Sequence, residues 1–79
     1  MASLPALEES ERAILGVFKN FRLRPDEYIA AHLIVDILAK THCADDLDAA
    51  LRTMHEKGWI DSCSREGWLI LRYQGWMQI

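Results

Sequence analysis

The apolar residues of this chain change their spacing once, at Gly58, and that change constrains the fold more than any other feature. Ahead of it, Leu47, Ala50, Leu51 and Met54 follow at intervals of three, one and three. That spacing puts them on one face of a helix lying on a core. Lys57 and Gly58 then supply a C-terminal stop: a cation in the last turn and a residue free to take positive φ. Beyond the stop, Trp59-Ile60-Asp61-Ser62-Cys63 and Trp68-Leu69-Ile70-Leu71-Arg72-Tyr73 are rich in β-formers. Ser64-Arg65-Glu66-Gly67 between them is a short loop containing glycine, so the pair reads as a hairpin. A helix handing directly to a hairpin is the expected end of the fold.

Upstream, the same periodicity predicts two more helices. The first runs from Pro5 to Phe21, with Pro5 in the first turn and Glu8, Glu9 and Glu11 near the positive end of the dipole. Its core stripe is Leu7, Ile14, Phe18 and Phe21, widened by Leu15 and Val17. Arg24 precedes Pro25 and is biased away from helix. Pro25-Asp26-Glu27 then reads as a fresh start, giving a second helix from Asp26 to Thr41 with Tyr28, Ile29, Leu33, Ile37 and Leu38 on one face. Glu27 to Ile29 in an extended conformation, with the helix starting near Ala30-Ala31, is the alternative. His32 on that apolar helix is expected to be a hydrogen-bonded core histidine. Thr41-His42-Cys43 is a tight turn, and the third helix spans Ala44 to Lys57.

With 79 residues, 51% of them apolar and 27% charged, the chain has room for one domain and is not of disordered composition. The expected domain is 1–79, with its core at 11–73 and an apolar tail at 74–79. Acids outnumber bases 12 to 9, for a net charge of −3, whereas a free-standing DNA-binding domain is usually basic because phosphate neutralisation supplies its affinity. No run approaches the ~20 apolar residues of a membrane span. The N-terminus does not read as a signal peptide, so the expected location is cytoplasmic. Cys43 and Cys63 are too few for a disulfide framework and are expected as partly buried thiols.

Helix, helix, tight turn, helix, hairpin is the order of a winged helix. The stretch Asp36-Ile37-Leu38-Ala39-Lys40, followed by Leu47-x3-Leu51-x2-Met54-x3-Gly58-Trp59-Ile60, resembles the winged helix-turn-helix superfamily. The resemblance covers Glu11 to Tyr73. It implies an α+β, mainly α, fold: a three-helix bundle followed by a two-stranded antiparallel β-hairpin wing. It also implies a DNA-binding transcriptional regulator, the third helix entering the major groove and the wing touching the backbone or minor groove. On that reading the nucleic-acid contacts are Lys40, Arg52, Thr53 and Arg65, with Lys19, Arg22 and Arg24 reaching the flanking backbone.

The residues also support another reading. With Leu47, Ala50, Leu51 and Met54 inward, the outward face of the third helix carries Asp45, Asp48, Ala49, Arg52, Thr53 and Glu56. Carboxylates facing phosphate are repelled, and a carboxylate finds direct use only against cytosine. The alternative is therefore a winged helix that binds protein and not DNA. Strand alternation puts Ile60, Leu69, Leu71 and Tyr73 toward the helices and Trp59, Trp68 and Ile70 on the open face. These three, with Trp76 from the tail, are the candidates for a partner or homodimer interface. The competing expectation is that the tail Trp76-Met77-Gln78-Ile79 folds back as an internal cover. His42, Cys43, His55 and Cys63 match no usual zinc spacing, and no catalytic motif stands out. Neither a metal, a cofactor nor an enzymatic activity is expected.

Overall fold

The computed structural model describes residues 5–62 and 66–79. The elements follow in the order α1 (Pro5–Asn20), β1 (Tyr28–Ala30), α2 (Ala31–Leu38), α3 (Ala44–Glu56), β2 (Ile60–Ser62), β3 (Trp68–Leu71) and α4 (Tyr73–Trp76). The protein is mainly helical, with one small antiparallel sheet ordered β1-β3-β2. Leu7 of the expected stripe, Cys63 of the expected strand, and Ser64 and Arg65 of the expected loop fall outside the described side chains. Among the described residues no helix is long and apolar enough to cross a membrane.

The expected stripe on α3 is the centre of the core. Leu47, Ala50 and Met54 are fully buried, and Leu51 is half-buried beside them. They meet Ile14, Val17 and Phe18 of α1, Ile34 of α2, and Ile60 and Leu71 of the sheet. At the end of α3, Gly58 N–H donates to His55 O at 3.1 Å and Trp59 N–H to Met54 O at 3.0 Å. Gly58 sits at φ +77° between those two bonds, the left-handed closure that glycine adopts without strain. Trp59 thereby lands on the turn containing Met54, and the chain is aimed into β2.

The first helix closes in the same way with a less suitable residue. Arg22 N–H donates to Lys19 O and Leu23 N–H to Phe18 O, both at 3.0 Å, and Arg22 holds φ at +55°. The closure sends Leu23 back toward Phe18 and turns Phe21 outward. Phe21, expected on the core stripe, is 49% exposed.

The second helix begins at Ala31, as the alternative with an extended segment ahead of it expects, and not at Asp26. Glu27 N–H closes a turn on Arg24 O at 3.1 Å, with Pro25 second and Asp26 third at φ +70°, the pattern of a type II turn. Asp26 N–H then donates to Leu71 O at 2.6 Å and Leu71 N–H to Glu27 O at 3.0 Å. Pairing with β3 overrides the local helix-start signal. The outcome is a third strand, so the sheet has three strands where a two-stranded hairpin was expected. On α2 the fully buried residue is Ile34; Ile37 is exposed, as is His32, so His32 is not a core histidine.

The sheet register separates its two faces. Ile60 pairs with Leu71 and Ile29 with Leu69 on the side of the helices, while Ile70 lies between Asp61 and Tyr28, and Trp68 opposite Ala30. Tyr73, expected to extend the last strand inward, instead opens α4 and is 59% exposed. A Cβ on Gly75 would lie 2.3 Å from Trp59 O, so only glycine lets α4 sit this close to the Trp59 backbone.

Candidate interaction surface

Three surfaces carry the side chains singled out by sequence. The first is the outward face of α3, where Asp45, Asp46, Asp48, Ala49, Arg52, His55 and Glu56 are exposed. Thr53 does not belong to it. Its hydroxyl donates to Glu11 Oε2 and lies 2.9 Å from Ala50 O. Lys57 follows it one turn later, its Nζ 2.9 and 3.0 Å from the two Glu11 oxygens and 4.5 Å from the centre of the Trp59 ring. The Glu11 side chain is only 6% exposed. A buried carboxylate is tolerated where it is hydrogen-bonded and paired. This group joins α1 to α3 and forms the end of a cleft of about 390 Å³ bounded by Glu8, Arg12, Leu15, Trp59 and Gln78.

Sequence reasoning placed Glu11 only among the acids near the positive end of the first helix. The signal that it belongs inside was its phase: Glu11, Ile14 and Phe18 are separated by three and four residues and share a face. Ser10 is also buried, and its hydroxyl has no hydrogen-bond partner among the described residues.

The second surface is the base of the sheet. Arg72 bridges two acids, 3.0 Å to Asp26 Oδ1 and 3.1 Å to Asp61 Oδ2, and His55 Nε2 lies 3.3 Å from Asp61 Oδ1. The Ser62 N–H first, and then Arg72, hold the Asp61 carboxyl below its ordinary value of 3.8. The hydrogen bonds that Arg72 donates to Asp61 and Asp26 in turn raise its own pKa. Arg72 is therefore already paired within the protein. Lys40 and Arg52 are exposed and in no ion pair among the described residues. Lys40 lies in the turn after α2 and Arg52 on α3, and Arg65 lies outside the described residues.

The third surface is apolar. Phe21, Leu23, Tyr28, Ile29, Ala30, Leu33 and Trp68 line a groove of about 300 Å³ between the end of α1, β1 and α2. Of the expected interface set, Trp68 lies here, and Ile70 is its neighbour along β3 on the same face of the sheet. Trp59 does not: it is half-buried against the core and faces the Glu11 cleft. Trp76 is on α4, its ring 5.8 Å from that of Tyr73. The tail turns toward α1, where Gln78 and Ile79 line a small pocket of about 180 Å³ together with Arg12, Leu15, Gly16 and Lys19. It does not line the groove at Trp68.

Phe21 and Tyr28, which complete this groove, were read as core residues from sequence. Cys43, expected as partly buried, is an exposed thiol. Among the described residues no three His, Cys, Asp or Glu side chains gather as a metal ion requires. No family model, no curated protein and no solved structure matches the chain.

Proposed function

We propose that this chain is a winged-helix interaction module that binds protein and not DNA. The order of elements supports the winged-helix part of the reading: two helices across a tight turn, the second handing to a hairpin through Gly58. The observation that carries the functional part is the disposition of α3. Its outer face presents Asp45, Asp46, Asp48 and Glu56 against one arginine, Arg52. Of the further side chains able to donate to nucleic acid, Thr53 and Lys57 are spent on Glu11, and His55 lies against Asp61. A helix in the major groove needs donors for base edges and cations for phosphate, and this face presents neither in number.

The test is retention on immobilised duplex DNA and on heparin at low salt. The chain is expected to flow through both. Retention that falls steeply with salt, and that is lost in Arg52→Ala and Lys40→Ala, would establish the DNA-binding reading instead.

A further inference from the structure

The exposed apolar side chains of this protein fall almost entirely on two patches. Eight large hydrophobic residues are exposed among the described residues. Phe21, Tyr28 and Trp68 line the groove between the end of α1, β1 and α2. Tyr73, Trp76, Met77 and Ile79 belong to α4 and the tail that follows it, which leaves Ile37 as the one elsewhere. Large apolar residues scattered singly need no explanation, whereas a contiguous patch marks a place where another molecule sits.

Groove and tail match in chemistry. Among the described residues no charged side chain lines the groove, and Tyr73–Ile79 carries none, in a chain of which 27% is charged. An uncharged segment enters such a groove without stranding an ion in it. The groove, about 300 Å³, is at the small end of the range for ligand pockets, a size for one or two large side chains. The tail of the same chain does not line it. Ile79 shares a small pocket with Lys19 near the end of α1, and Phe21, two residues further on, is already on the groove wall. Both patches therefore stand close to the same end of α1, yet the tail leaves its own groove open.

We infer that the occupant of the groove is the tail of a second copy of this chain, in a symmetric pair. About a two-fold axis near the end of α1, Trp76 and Met77 of each copy enter between Tyr28, Trp68 and Leu33 of the other. Both grooves fill at once, and the assembly closes as a dimer. The area agrees. The seven side chains of the two patches are on average about half exposed, and at about 200 Å² for a side chain of this size they offer roughly 700 Å² per copy. A standard stable interface takes roughly 800 Å² from each partner. Aromatic residues and methionine are the side chains enriched in such interfaces. The pairing rests on the interaction-module reading and names a second copy as the protein partner.

The test is sedimentation equilibrium of the full chain over a range of concentrations. A monomer–dimer equilibrium with a dissociation constant in the micromolar range is expected. Two exposed positions give variants of opposite charge: Tyr28→Lys in the groove and Met77→Glu on the tail. Each substitution occurs twice in a symmetric pair and strands a charge against an apolar surface. Each variant alone is therefore expected to dimerise more weakly by about tenfold per contact, or about a hundredfold for the pair. Mixed in equal amounts, the two are expected to recover a dimer, because one groove–tail contact is then unaltered and the other sets Lys against Glu. Phe21→Lys is a second groove variant, and circular dichroism confirms that each variant is folded.

A chain that remains monomeric at about 1 mM overturns the pairing. If that monomer also binds anilinonaphthalene sulfonate, and Tyr28→Lys loses it, the groove takes another molecule instead. The pairing is equally overturned by folded variants that dimerise as the parent does, or by a mixture that stays monomeric. Open-ended growth with no dimer plateau overturns it too, since that is the mark of a head-to-tail contact. A monomer that flows through DNA and heparin sinks the pairing alone. Retention on duplex DNA sinks the reading beneath it, and sedimentation then decides the pairing by itself.

Discussion

Replacing Lys57 with Met tests the polar contact that joins α1 to the end of α3 beside their apolar core. The Glu11 side chain is 6% exposed, and the Lys57 side chain 45%. Lys57→Met leaves a carboxylate in a place built for a paired one, with the Thr53 hydroxyl as its remaining side-chain donor among the described residues. Removing one partner of a fully buried pair costs about 3–5 kcal/mol. Here the cleft beside Glu11 is open, water reaches the vacated position, and the expected cost drops to about 2 kcal/mol.

Glu11→Gln strands no charge. Lys57 swings into solvent, and Gln keeps the shape and an acceptor for Thr53, so the expected cost is about 1 kcal/mol. Replacing both, Glu11→Leu with Lys57→Met, is expected to recover most of what the lysine variant loses, because apolar replacement of a buried pair is close to neutral. In a domain this size 1 kcal/mol moves Tm by about 4–8 °C. The lysine variant should therefore melt about 8–16 °C lower by far-ultraviolet circular dichroism, with the glutamine variant about half as far down. A glutamine variant that loses as much as the lysine variant, or a double variant with no recovery, would refute the reasoning.

The two left-handed helix closures predict opposite signs. Arg22→Gly relieves strain at φ +55° and should gain about 0.5–1 kcal/mol in urea unfolding, whereas Gly58→Ala at φ +77° should lose about 1 kcal/mol. Gly75→Ala places a Cβ 2.3 Å from Trp59 O; α4 must lift, at a cost of about 1–3 kcal/mol, with a red shift in tryptophan emission. Asp61 is held below its ordinary value of 3.8. Its contribution to stability is therefore complete above pH 3.8 and is lost as pH falls through the lower native value. Asp61→Asn should flatten the fall of Tm with pH in that acid window, and an unchanged slope would contradict the assignment.

What was legible in the sequence is what local periodicity determines. The α3 stripe, the stop at Gly58 and the hairpin all depend on neighbours within a few residues, and all are present. The errors come from contacts that span the chain. Asp26 and Glu27 carry a helix-start signal, but Leu71, more than forty residues away in sequence, takes their backbone groups into a sheet. Thr53 sits on the outer half of a helical wheel, yet a carboxylate from α1 draws its hydroxyl in. Phe21 is in phase with Ile14 and Phe18 but lies one residue past the end of the helix, where a left-handed Arg22 redirects it. No glycine marks that closure, so nothing local announced it. The groove was only half visible for the same reason: Trp68 follows from strand alternation, whereas Phe21 and Tyr28 reach it through turns that sequence spacing does not encode.

The proposal that this chain does not meet DNA through its third helix is tested most directly by amide chemical-shift mapping of a uniformly 15N-labelled sample titrated with duplex DNA at low salt. The predicted result is no saturable shift. Saturable duplex-induced shifts running along Asp45–Glu56 would contradict it.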